Sequence, residues 1–184
     1  MRCKKHLLRE LNKWLRAQGC EGNFIVRESA SRGGLGLFVE SKASVGEPVL
    51  LVPSKLSMKV EEDGEKELSK KAKELWLDMP PRQNDSQSLD IAVGLLSLKL
   101  LEEASLKTQS VYGPYIDALP TLEEISTCAW MWEEEVCEKL LPETVATAAV
   151  TLGNRVKAEH AALEFSNLNN GFSLEEYQWA QGLQ

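Results

Sequence analysis

No stretch of the 184-residue chain approaches the run of about 18 apolar residues that a membrane span requires, so a membrane role is not expected. Histidine is scarce, with His6 and His160 in unrelated contexts, and the four cysteines (Cys3, Cys20, Cys128, Cys137) include no Cys-x-x-Cys pair. No metal-ligand set emerges. Free thiols in a reducing compartment are expected rather than a disulfide framework. A secretory signal is also lacking, which points to the cytoplasm, the nucleus or the interior of an organelle such as a plastid. No long basic patch is interleaved with aromatics, so nucleic acid is a poor candidate partner. Gly34-Leu35-Gly36 has no third glycine at the dinucleotide spacing and no Gly-Lys-Ser/Thr behind it, which disfavours phosphate binding.

The composition that remains is ordinary for a globular protein, with 43% apolar and 27% charged residues. The length fits one domain, or one domain with a large insertion. The net charge of −7 conceals an asymmetry: residues 1–60 carry 11 Lys and Arg against 5 Asp and Glu, whereas residues 61–184 carry 10 against 23. Such an imbalance either steers a basic partner to the acidic part or is a solvated surface.

Along the chain, Leu7, Leu8, Leu11, Trp14 and Leu15 recur at helical spacing, opposed by Lys4, Lys5, Arg9, Lys13 and Arg16, and Gly19 lies where a C-cap would end the helix. The segment 1–19 is therefore an amphipathic opening helix. It either packs on the domain or serves as a basic transit sequence. Phe24–Glu28, Leu35–Val39 and Pro48–Val52 read as short strands punctuated by Gly22, Gly33, Gly34 and Gly46, giving a strand unit over 20–57. After Pro53 the character changes: 61–73 is charged, Pro80-Pro81 breaks the chain, and Asn84–Ser88 is a polar loop that could cap the next helix.

Leu89–Glu103 is too long and too apolar for a strand and predicts a buried helix. Helices follow over Glu133–Leu141 and Thr144–Phe165, with Pro142 at the N1 position of the second. Ser173-Leu174-Glu175-Glu176 is a capping box for the last. Strands first and helices after make an α+β protein. Within the helical part, Tyr112, Tyr115 and Tyr177 read as packing residues, Trp130 and Trp132 as core, and Tyr115-Ile116 with Leu119-Pro120 as a buried strand-to-turn segment. Glu133-Glu134-Glu135 is a solvated helix start, since consecutive helical residues point in different directions and cannot act as an acid/base pair.

Gly33, Gly34 and Gly36 place three glycines within four positions, bordered by Leu35, Leu37, Phe38 and Val39. Such a turn admits positive φ and lets a ligand approach the main chain where a Cβ would obstruct it. Most turns of this kind only join strands, so the alternatives are a plain connection and a main-chain cradle for a small molecule.

Six segments in order resemble one family. They are Leu11-Asn12-Lys13-Trp14-Leu15, Gly33-Gly34-Leu35-Gly36-Leu37, Gly46-Glu47-Pro48-Val49-Leu50-Leu51-Val52-Pro53, Tyr115-Ile116-Asp117-Ala118-Leu119-Pro120, Trp132-Glu133-Glu134-Glu135 and Glu176-Tyr177-Gln178-Trp179-Ala180. Together they resemble SET-domain protein methyltransferases of the Rubisco large-subunit methyltransferase type. The resemblance implies that Gly33, Gly34, Leu35 and Gly36 contact S-adenosylmethionine, and that 58–184 is the helical insert that splits a SET domain. It also implies a protein substrate, methylated on lysine or histidine.

The family's Asn-His cofactor motif, its channel tyrosine and its C-terminal helical domain have no counterpart before Gln184, and His160, preceded by Glu159, does not match the motif. The expectation is an incomplete SET domain that is inactive as this chain alone and is completed by a C-terminal fragment. No residue is assigned as catalytic. The rival expectation is a non-catalytic interaction module that binds a basic partner through its acidic helical surface.

Overall fold

The computed structural model describes residues 4–30, 34–59, 67–79 and 87–184. The chain forms two compact units, one from Met1–Met58 with Thr108–Leu119 and the other from Lys59–Lys107 with Pro120–Gln184. Residues 108–119, which lie inside the 58–184 segment of the sequence, belong to the first unit. The class is α+β: helices predominate, beside a two-stranded antiparallel sheet.

The first unit opens with α1 (Lys4–Ala17), whose apolar stripe buries Leu11. Gly19 ends it at φ +87. The Cys20 amide donates to the Leu15 carbonyl at 2.9 Å and the Gly19 amide to Arg16 at 3.0 Å, so the last carbonyls of the helix are satisfied by a Schellman turn. Two strands follow, β1 (Ile25–Glu28) and β2 (Leu35–Phe38), paired Ile25 to Phe38, Val26 to Leu37, Arg27 to Gly36 and Glu28 to Leu35.

Side-chain amides take the place of missing strands in this unit. Asn12 on α1 donates through Nδ2 to the Val26 carbonyl at 2.8 Å, and its Oδ1 accepts the Val26 amide at 2.9 Å, closing the outer edge of β1. Asn23 does the same for the chain after β2, accepting the amides of Glu40 and Ser41 at 3.1 and 3.0 Å and donating to the Ser41 carbonyl at 2.9 Å. Arg16 donates to the carbonyls of Gly22 and Phe24 and lies over the buried Phe24 ring, 4.1 Å from its centroid. Asn12→Ala should therefore destabilise the protein by about 1–3 kcal/mol, because it strips a part-buried main-chain pair of both partners. Urea titration of the variant checks this; an unchanged midpoint would mean that water replaces the amide at no cost.

Two expectations for this unit are corrected. Pro48–Val52 forms no strand; it meets the rest of the unit at a single bridge, in which Leu51 and Glu21 exchange main-chain bonds of 2.8 and 3.1 Å. Pro48 has no amide to donate. In addition, Gly22, next to the bridge, adopts φ +122, outside the extended region, and a Cβ there would stand 2.3 Å from the Val49 carbonyl oxygen, so regular strand pairing does not continue past the bridge. Tyr115-Ile116 is likewise no strand. Helical turn α4 (Gly113–Ile116), with proline in its first turn, leaves Tyr115 exposed, and the Val111 carbonyl before it accepts the Trp14 indole N–H at 2.8 Å.

The second unit has no strand among its described residues and is built from helices: α2 (Glu67–Leu77), α3 (Gln87–Ser105), α5 (Leu122–Ile125), α6 (Glu134–Leu140), α7 (Glu143–Phe165) and α8 (Leu174–Gly182). The expected buried helix is α3, with Ile91, Leu95, Leu98, Leu100 and Leu101 inside. The charged stretch 61–73 runs into α2, which buries Ala72 and Trp76, one turn apart; residues 60–66 and 80–86, with the break expected at Pro80-Pro81 and most of the Asn84–Ser88 loop, lie outside the described residues. Gly94 on α3 lets the Trp76 ring approach to where a Cβ would stand 2.6 Å from it.

Helix α7 begins one residue later than a proline at N1 would place it, since Pro142 is the extended N-cap and Glu143 the first helical residue. Ser173 and Glu176 form the expected capping box of α8, and Thr121 with Glu124 forms another at α5. Cys137, Ala146 and Ala149 make a small core against which Trp130 and Trp132 pack, half-buried. No described helix is long and apolar enough to cross a membrane.

Candidate functional site

The glycine turn sits at the tip of the β1–β2 hairpin. Gly33 lies outside the described residues; Gly34 adopts φ +67, in the left-handed region that favours glycine, and a Cβ built on it meets none of the described residues within 4 Å. The Ser29 amide donates to the Gly34 carbonyl at 3.0 Å and closes the turn. Space beside Gly34 is thus open to a ligand. Gly36 has a different reason to be glycine: its Cβ would stand 2.9 Å from the Phe38 ring, which the Arg27 guanidinium covers at 4.2 Å from the centroid.

The orientation of the main chain at Leu35 follows from the bonds of Asn12. Both polar main-chain groups of Val26 point to Asn12, away from β2, so Val26 and Leu37 form a non-hydrogen-bonded pair. Alternation along an antiparallel ladder makes Glu28 and Leu35 another such pair and Ser29 and Gly34 a bonded one, as the Ser29–Gly34 bond shows. The N–H and C=O of Leu35 and Leu37 consequently face the outer side of β2, where no strand pairs among the described residues. Their side chains are 41% and 52% exposed. The turn therefore brings together an open glycine, an outward-facing Leu35 main chain and a free strand edge.

Polar chemistry in the second unit is concentrated between α7 and α8. Glu159, deeply buried, accepts the Arg155 guanidinium at 2.6 Å and the Tyr177 hydroxyl at 3.2 Å, while that hydroxyl accepts from Gln181 Nε2 at 2.9 Å. His160 lies beside them with its ring 5.9 Å from that of Tyr177, and its Nε2 is 3.0 Å from the Phe172 carbonyl. A carbonyl only accepts, so Nε2 carries a proton and His160 ties down the segment that enters α8. Tyr177, expected as packing, is buried and also hydrogen-bonded. Sequence reasoning missed Arg155, Glu159 and Gln181; the four-residue spacing of Arg155 and Glu159 was visible, but it equally describes an exposed helical pair.

Nucleophilic chemistry finds no support at Cys20 or Cys137. Cys20 is buried, and burial pushes its thiol up, which disfavours the thiolate. Cys137 is buried and donates to the Ala129 carbonyl at 3.2 Å. Among the described residues, no three His, Cys, Asp or Glu side chains gather as a metal site. The chain matches no protein-family model and no curated protein.

Proposed function

We propose that the N-terminal unit is the S-adenosylmethionine-binding part of a SET-type protein-lysine, or protein-histidine, N-methyltransferase. The observation that carries this reading is the Gly34–Leu35 edge: a left-handed glycine with free space beside it, followed by a main chain whose N–H and C=O face outward. The amino-acid end of S-adenosylmethionine bears an ammonium donor and a carboxylate acceptor, which match a carbonyl and an amide on one residue. Leu35 would hold that end, with Gly34 giving access and Gly36 keeping the strand in shape through Phe38. The cofactor, when bound, supplies the sulfonium methyl group.

Methyl transfer further needs an in-line, deprotonated amine in a channel that excludes water. No described residue of the first unit is assigned that task. In this reading a complementing C-terminal fragment supplies those groups.

Calorimetry with S-adenosylhomocysteine tests the cofactor wall. Gly34→Asn keeps the left-handed backbone, which asparagine tolerates, yet places a side chain in the open space. It should weaken binding at least about tenfold, about 1.4 kcal/mol, with an unchanged melting midpoint. A folded wild-type chain that binds no S-adenosylhomocysteine, or a Gly34→Asn variant that binds it as well as wild type does, would overturn the assignment.

A further inference from the structure

Helix α6 already has a core-facing side: Cys137 is buried, and Leu141 just beyond the helix packs with it against Ala146 and Ala149. Its other apolar residues have no such partner. Val136 and Leu140, one turn apart on the same face, are 40% and 64% exposed, and Val145 in the first turns of α7 is 47% exposed. Glu133, three residues before Val136 and seven before Leu140, continues that stripe at the N-cap.

The charge of the same region is nearly all of one sign. Residues 133–145 carry Glu133, Glu134, Glu135, Glu138 and Glu143 against Lys139 alone, and all six side chains are exposed. A surface of exposed aliphatics among carboxylates repels nucleic acid and anionic lipid. It complements a segment that presents apolar residues on one side and Lys or Arg on the other.

We propose that the exposed face of α6 and the start of α7 docks a basic amphipathic helix of a protein partner, with Val136 and Leu140 taking its apolar residues and the surrounding glutamates its cations. Aliphatic anchors then supply the affinity by leaving water, and the carboxylates set the rate and the choice of partner. The site stands apart from the cofactor reading, since none of its residues lies in the first unit.

The test uses the full chain and an 18-residue helical peptide of leucine on one face and lysine on the other, followed by fluorescence anisotropy. Binding is expected to weaken at least about tenfold with Leu140→Asp, an exposed position where the melting midpoint should not move. Joint Glu135→Lys and Glu138→Lys should weaken binding and flatten its dependence on salt. A peptide with glutamate in place of lysine should not bind. Absence of binding, or binding indifferent to both variants, would overturn the proposal. So would self-association of the chain that Leu140→Asp abolishes, for that would assign the face to a second copy.

Discussion

Glu159→Ala is expected to lower the unfolding free energy by about 3–5 kcal/mol, the range for removing one member of a buried ion pair. The carboxylate is 3% exposed and accepts from the Arg155 guanidinium at 2.6 Å and from the Tyr177 hydroxyl at 3.2 Å. Its loss removes a charged acceptor from the Arg155 guanidinium and the Tyr177 hydroxyl inside a site that water reaches poorly, and weakens the chain that runs on to Gln181. For a protein of this size the melting midpoint should fall on the order of 10 °C. Thermal unfolding followed by circular dichroism reads the change.

A second comparison separates charge from packing. Joint Arg155→Met and Glu159→Met replaces the pair by side chains of similar reach, and the stability should return most of the way to wild type, as it does when both charges of a buried pair are removed together. If Glu159→Ala costs less than about 1 kcal/mol, the pair is solvated in solution and the α7–α8 contact does not depend on it.

Gly153→Ala should destabilise, by about 2 kcal/mol net, although alanine is the better helix former by about 1 kcal/mol. The residue lies inside α7, where a Cβ would stand 2.3 Å from the Trp130 carbonyl oxygen. That carbonyl has little room to retreat: the 3₁₀ turn Ala129–Met131 is held by the Met131 amide on Cys128, the Cys137 thiol on Ala129 and the Trp132 indole on Ser126. The sign of the effect is decisive. A gain in stability would mean that the turn is loosely held; Lys157→Ala, exposed on the same helix, should stay within about 0.5 kcal/mol of wild type.

How far such features were legible depends on whether their cause is local. The capping box at Ser173 and the C-cap at Gly19 were, because each is made by residues within a few positions of one another. The long apolar run of α3 was too, since only a buried helix accommodates it. Pro48–Val52 was misread because its strand-like composition said nothing of its would-be partner, where Gly22 at φ +122 breaks the extended backbone. Tyr115 was misread because a Gly-Pro start, which opens a helical turn, also suits a bend. At the candidate site, the freedom of Gly34 could be expected from its neighbours, whereas the packing reason for Gly36 could not, since it depends on the rotamer of Phe38.

Period, caps and composition act over a few residues, so the class and the positions of most helices were already written in the sequence. Tertiary structure alone decided which polar groups work together. Asn12 became the substitute for a strand only when α1 lay along β1, and that contact in turn aimed the main chain of Leu35 outward. Glu159 became buried only when α8 closed over α7. An amide or a carboxylate on a helix reads the same in either setting; its surroundings, assembled from residues far apart along the chain, settle whether water or protein satisfies it.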